Sequence, residues 1–477
     1  MDVFATTAAP VETSADTVAL GIFDGKAIPH DLEGTPLQAL LDAGEARTSY
    51  KHLALTHAAD KRWILVGLGA RDDFTPERAR VAAALVHDRA REAGAQTLCW
   101  ELPHRLTDAE VAGFVEGTLL AARRIDRYKG AAEDERPGLT ALIASDHADR
   151  SATVARAALV ASAQNRARDL QDRAPNDLTP TALGDRAREL VALGVTVEVE
   201  GRAKIQARRM GAFAAVFQGS AQEPALITLR YTGPDARGPV LGLVGKGVTH
   251  DTGGYALKPK GSIAAMKFDM SGAAAVLEAI AAIAELRLPV DVIGVIGATD
   301  NKIDAAAVTP GDVVRAASGL TVEVNNPDAE GRLVLADCLW LARELGAERL
   351  VDLATLTGGA VTALGTVHCA LWANDEPWAA ALQEASAASG ERVWRMPLHP
   401  AYAEQVAGRY ADLDNSPGGG KAQPVLAAEF LHRFAGDTPW AHVDLTASHD
   451  LGLPYAKHGG AGWGVRLLVE LAQAHGR

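Results

Sequence analysis

The sequence predicts an α/β chain of two domains: a smaller N-terminal α/β domain over residues 1–150, and a larger one over 151–477 with a mostly parallel sheet flanked by helices. Three observations carry that reading. At 477 residues the chain exceeds one ordinary domain of roughly 150 residues. Short apolar, β-branched runs alternate with stretches of helical period in both halves. Between the halves, residues 126–137 (DRYKGAAEDERP) are charged and poor in apolar side chains, as a surface loop or linker would be.

In the first half, 17–23 (TVALGIF), 52–57, 62–69 and 96–102 read as strands, while 75–93 and 107–124 place apolar residues at helical spacing. These elements suffice for a small α/β layer. A helical stretch over 150–173 then runs into the turn-rich APNDLTP, which ends at Pro180. Beyond it, 195–201, 225–231, 240–248, 290–299, 349–358 and 440–447 are strand-like, with helical patterns at 270–287, 332–346 and 377–389. Strands separated by helices of this size imply a largely parallel sheet covered on both faces. The sequence contains no repeats, and SPGGGKAQP (416–424) is its one low-complexity loop.

Composition narrows the function classes. The chain is 48% hydrophobic and 22% charged, a globular balance. Its net charge of −13 disfavours a nucleic-acid partner, which a basic face would serve. Cys99, Cys338 and Cys369 lie far apart, so neither a disulfide framework nor a thiolate zinc site is expected. A cytoplasmic location follows, because that usage fits a reducing compartment and the N-terminus lacks a secretory pattern. The longest apolar stretch, 273–284, is broken by Glu278, so no membrane span is expected. Of 12 lysines against 35 arginines, four (Lys246, Lys258, Lys260, Lys267) fall within 22 residues. Lysine, unlike arginine, can lose its proton when buried, although chance clustering on a loop would give the same count.

Ligands of such sheets bind beyond the carboxyl ends of the strands, which selects 248–260, Asn301, 325–332 and 353–359. Three motifs fall there. In 241–261 (LGLVGKGVTHDTGGYALKPKG) the glycine spacing fits neither a phosphate loop nor a dinucleotide fingerprint. What remains is Lys246, Asp251, a tight Gly253-Gly254 turn and Lys258. In 266–274 (MKFDMSGAA), Asp269 precedes a long helix, where a carboxylate is a plausible N-cap. In 325–337 (NNPDAEGRLVLAD), Asp328, Glu330 and Arg332 alternate just before a helix, whose N-terminus favours anions. Four carboxylates cannot share one site unless cations neutralise them. Oxygen-rich sites suit Mg²⁺, Mn²⁺ or Zn²⁺, and bridging carboxylates allow two metals ~3.5–4 Å apart.

The run VGKGVTHDTGGYALKP, then MKFDM, then NPDAEGRLVLAD resembles the cytosol (leucyl) aminopeptidase family of dinuclear metallopeptidases. The likeness spans about 181–477, including DLATLTGG and WAHVDLTA, while the first ~150 residues fit by size and α/β character. It implies a metal-dependent aminopeptidase that releases N-terminal residues, Leu-like and others, from peptides. It further implies Lys246, Asp251, Asp269, Asp328 and Glu330 as ligands of two divalent ions, Mn or Zn, with Lys246 a neutral amine and Asp251 and Glu330 bridging. Lys258 and Arg332 match the two catalytic positions that do not bind metal. A metal-activated hydroxide would attack, Arg332 would hold a bicarbonate as proton shuttle, and Lys258 would stabilise the oxyanion. Met266 and the backbone around Leu356 and Gly358 would line the place of the first side chain. A homohexamer is implied as well.

Two positions depart from the family pattern: His250 where Phe is usual, and Pro327 where Thr is usual. As the neighbour of Asp251 on an extended segment, His250 points away from it, which favours a buried or interface role over an extra ligand. His399, His442, His449 and His458 form no zinc motif and read as surface or supporting residues, and Cys338 and Cys369 as buried small side chains. The competing function is a family relative that acts mainly as a binding or regulatory protein with weak or no peptidase activity. A nucleotide-binding N-terminal module is a weaker reading, since that half has no phosphate loop.

Overall fold

The computed structural model describes residues 1–28, 31–130 and 138–476; of the segment read as a linker, 131–137 lie outside the described residues. The architecture is two-domain α/β, as expected. Compactness divides the chain within the helix Ser151–Asp172: Met1–Asn165 with Gly452–Lys457 form one unit, and Arg166–Leu451 with His458–Arg477 the other.

The first unit contains strands β1 (Asp2–Thr6), β2 (Thr17–Phe23), β3 (Leu53–Ala58), β4 (Lys61–Gly69), β5 (Thr97–Glu101) and β6 (Ala141–Ser145). They form one sheet in the order β1-β6-β5-β2-β4-β3, parallel except for the β3–β4 pair. Four strands match the expected runs to within about two residues; β1 and β6 were not expected. DVFAT and ALIAS are only five residues long, too short to stand out as apolar runs, and their pairing with each other and with β5 establishes them as strands. The helices Pro76–Glu92 and Asp108–Ala121 start at Thr75 and Thr107, whose hydroxyls accept from the N–H of Arg78 and Glu110. One sheet face carries an apolar cluster of Val18, Leu20, Ile22, Trp63, Cys99 and Ile143.

The second unit continues with β7 (Thr196–Glu200), β8 (Ala225–Tyr231), β9 (Leu241–Asp251), β10 (Val292–Asn301), β11 (Asp312–Arg315), β12 (Thr321–Val324), β13 (Arg349–Ala354), β14 (Cys369–Ala373), β15 (Val393–Arg395), β16 (Leu413–Asp414) and β17 (Trp440–Asp444). Eight strands make the main sheet, in the order β15-β14-β17-β13-β9-β10-β8-β7, and β11-β12-β16 make a small second one. The centre is parallel: β9 pairs with β10 and β13, and β13 with β17. Antiparallel pairs lie outside it, β8 with β10 and β7, and β14 with β17.

Helices cover both faces of β9, and adjacent residues show how. A Cβ on Gly245 would lie 2.8 Å from Ala273 Cα, in the helix Ser271–Glu285. Lys246 points the other way: a Cβ on Gly331, in the helix Glu330–Glu344, would lie 2.6 Å from its Cε. Alternation along one strand thus hands one residue to each helix. Cys99, Cys338 and Cys369 are buried, as small apolar residues would be. Among the described residues no helix is long and apolar enough to cross a membrane.

Candidate metal centre

Three chain turns meet at the carboxyl ends of β9, β10 and β13. After Asp251 the chain reverses through Gly253 and Gly254, with φ of 87° and 57°, values that side-chain-bearing residues rarely adopt. A Cβ at Gly253 would lie 2.7 Å from Asp328 Oδ1, so glycine also lets the 325–332 loop come close. Asp251 Oδ1 accepts from the Gly253 N–H and from Asn301 Nδ2, each at 2.8 Å. The same Asn301 amide donates to the Pro327 carbonyl at 3.0 Å and so ties the loop to the strand end. Asp251, Asp328 and Glu330 each offer a carboxylate oxygen, all within 4.8 Å of one another.

Asp269 joins them from the turn before the helix Ser271–Glu285. It is not that helix's N-cap, contrary to the local expectation: Met270 holds that position without a side-chain bond. The Asp269 carboxylate turns instead to the Thr355 hydroxyl and to Lys246, each at 2.7 Å. Lys246 is 2% exposed, and its Nζ also donates to the Thr355 carbonyl at 2.7 Å and lies 2.8 Å from Glu330 Oε1. Lys258 Nζ lies 2.7 Å from Asp251 Oδ2 and 2.6 Å from Asp328 Oδ1.

Four carboxylates against two ammonium groups leave two formal negative charges in a mostly buried site. Burial, then Glu330, pushes Asp251 up to about 7, and burial lifts Asp269 well above the usual carboxylate range. Burial also opposes the charge on Lys246 and Lys258, yet the surrounding carboxylates outweigh it and raise both above ordinary lysine. Asp269 Oδ2 and Glu330 Oε2 are buried with no hydrogen-bond partner. Unpartnered anionic oxygens beside a charge deficit are what a divalent cation would satisfy, so the donor set fits metal.

Arg332 is buried in the first turn of the helix Glu330–Glu344; its Nη1 donates to the Asn415 carbonyl at 2.6 Å, and its Nε has no partner. Burial brings its pKa down to about 10. Met266 is half-buried on the short turn Ile263–Phe268, directly before Asp269. Leu356 donates its N–H to Asp444 Oδ1 at 3.2 Å, and Gly358 is exposed at the start of the helix Gly358–Leu364.

His250 is half-buried, with Nδ1 2.7 Å from Lys302 Nζ, and does not belong to the carboxylate group. Of the late histidines, His399 and His458 are exposed and His449 stacks on Phe268 at 4.8 Å. Of the two roles expected of His442, burial excludes the surface one. It is fully buried, 2.6 Å from Asp352, with its ring stacked against Trp372 and Trp440. Thr355, Asn415 and Asp444 hold the site together; Thr355 and Asp444 lie within the runs DLATLTGG and WAHVDLTA but receive no role from sequence, and Asn415 lies in no motif. Asn415 acts on Arg332 through a backbone carbonyl, which any residue type supplies, and so leaves no signal in the sequence.

Comparison with known proteins extends to both units. The catalytic-domain profile of the cytosol aminopeptidase family matches residues 165–469, and its N-terminal-domain profile matches 11–131. The chain is 40% identical to a probable cytosol aminopeptidase of Roseiflexus castenholzii, covering 98% of each chain. It is also 40% identical to one of Thermosynechococcus vestitus, over 91% of this chain and 90% of that one. Among solved structures, the bottromycin maturation enzyme BotP in complex with Mn superposes with a TM-score of 0.89 at 33% identity, covering 97% of this chain and 100% of that one. The motifs, the clustered carboxylates and these matches agree: the chain belongs to the cytosol aminopeptidase family.

Proposed function

We propose that this protein is a metal-dependent aminopeptidase that removes N-terminal residues, Leu-like among them, from peptides. The observation that carries the reading is the mostly buried set Lys246, Asp251, Asp269, Asp328 and Glu330, in which Asp269 Oδ2 and Glu330 Oε2 lack partners. Those five residues would hold two divalent ions, with manganese favoured because a structural relative was solved with it and zinc as the alternative. When bound, the ions supply Lewis-acid charge and make a water acidic enough to attack at neutral pH.

The other roles belong to the chain. A substrate's free α-amine would be held at one of the two metal positions formed by Lys246, Asp251, Asp269, Asp328 and Glu330, which would confine cleavage to the first residue. Lys258 keeps its proton, since its carboxylate neighbours hold its pKa up, and so can donate to an oxyanion. The unpartnered Nε of Arg332, at a helix N-terminus, would hold a bicarbonate that relays the proton. Met266 and the backbone at Leu356 and Gly358 would line the first side chain. As a proposal from family likeness, the chain assembles as a homohexamer, which mass measurement by light scattering would test.

Hydrolysis of leucyl p-nitroanilide tests this reading. Activity should appear with Mn²⁺, vanish with chelator, and be absent on the N-acetylated substrate. Metal uptake without cleavage of any aminoacyl anilide would favour a binding or regulatory protein instead.

A further inference from the structure

A cavity of about 820 Å³ lies in the N-terminal unit, apart from the carboxylate cluster of the other unit. That volume falls within the ~300–1,000 Å³ of small-molecule sites. Thr7, Ile22, Glu101 and Ser145 line it, at or next to the carboxyl ends of β1, β2, β5 and β6. Such ends are where parallel α/β sheets take ligands. The rest of its wall is largely apolar, with Leu20, Trp63 and Leu102 prominent.

Charged and polar side chains line the cavity as well: Lys26, His104, Arg105 and His147 are exposed, Asp31 accepts from the N–H groups of Leu37 and Gln38, and Asp146 accepts from Arg150. Glu101 has no such engagement among the described residues. It stands in register with Leu20 of β2 and Ser145 of β6. Two residues earlier, Cys99 joins the apolar cluster of Leu20, Ile22 and Trp63, so alternation turns the Glu101 side chain to that same face. Among the described residues no hydrogen bond or ion pair reaches its carboxylate. Burial alone pushes that carboxyl up to about 7. The nearby polar groups are engaged elsewhere: the Ser145 hydroxyl donates to the Ala8 carbonyl at 2.7 Å, and Arg71 grips Glu110 at 2.7 and 3.0 Å. A half-buried carboxylate in a largely apolar wall, without a counter-ion, is less favourable until a cation arrives.

We propose that this cavity binds a small amine with an apolar or aromatic body, its ammonium held by Glu101 and its body by Leu20, Ile22, Trp63 and Leu102. Charge-assisted hydrogen bonding favours the ammonium, and like charge disfavours acids.

Calorimetric titration of the full chain with phenethylamine tests it, with 2-phenylethanol and phenylacetate as neutral and anionic counterparts. The amine should bind saturably at one site, at least ~tenfold tighter than the alcohol, with the acid weaker still. Glu101→Gln should weaken amine binding by ~tenfold or more while leaving anilide hydrolysis unchanged. Ile22→Trp, which fills the cavity but keeps the carboxylate, should block it. Asp328→Ala should bind the amine as wild type does, which separates this cavity from the metal centre. Undiminished affinity in Glu101→Gln, loss of binding in Asp328→Ala, or no saturable binding at millimolar amine would each overturn the proposal. Should a cavity variant fail to fold, the wild-type ligand series and Asp328→Ala still decide it.

Discussion

The two units treat buried carboxylates in opposite ways. At the ends of β9, β10 and β13, four carboxylates lie around two lysines, and each acid touches at least one ammonium. In the N-terminal cavity, Glu101 lines an apolar wall with no such neighbour among the described residues. In the first region, charge pairing holds the geometry while still leaving an excess of acid for cations to meet. In the second, Glu101 has no partner among the described residues, so the cost of its charge falls on stability unless a ligand offsets it.

The largest effect should come from cutting into the paired set. Asp328→Ala or Glu330→Ala removes charge the cations need and takes one of two acid partners from a lysine, so hydrolysis should vanish and bound metal should fall. Either variant retaining full activity and two metals would break the comparison, which activity assays beside elemental analysis would reveal. Next, Lys258→Ala should leave metal content near normal while kcat drops by roughly 10²–10³, the usual effect of losing one oxyanion donor. Metal loss instead would make Lys258 a structural cation.

A smaller effect is expected at Lys246. Binding metal as an amine requires loss of its proton; arginine cannot lose one, and methionine carries none. Metal titration at mildly alkaline pH should therefore rank occupancy of the weaker site as wild type, then Lys246→Met, then Lys246→Arg. Arginine retaining more metal than methionine would show that Lys246 is an ordinary supporting cation.

Glu101→Gln should give the smallest change, and a pH-dependent one. Because the folded-state pKa of Glu101 is raised to about 7, protonation favours the fold. Its stabilising contribution is whole below the unfolded pKa of ~4.3 and is lost as pH rises through 7. Glutamine imitates the protonated form, so the variant should match wild type in Tm near pH 4 and exceed it by a few degrees at pH 8. A Tm difference that does not grow between those pH values would show that Glu101 is not confined as described.

Much of the metal centre was legible because its side chains sit in three chain-local motifs at strand ends, where spacing survives in the sequence. Asn415 escaped notice because it acts through its carbonyl to Arg332, and Asp444 because it steadies the 355–357 loop from a distant strand. Glu101 was hidden for a related reason: TLCWE reads as a strand end, and only pairing with β2 and β6 shows what its side chain faces. Strands with long apolar runs were readable, whereas β1, β6 and the two-residue β16 exist by virtue of partners far along the chain. The Asp269 cap failed because local preference favours a helix N-cap, but Lys246 and Thr355 offered the carboxylate stronger partners.

The account rests on cations taking over from lysine in the paired site, and counting metals and protons in one titration tests that most directly. Metal-free protein titrated with Mn²⁺ in a weakly buffered solution, at mildly alkaline pH, should take up two ions per chain and release at least one proton as Lys246 gives up its ammonium form. Uptake of fewer than two ions, or of two with no proton released, would contradict it.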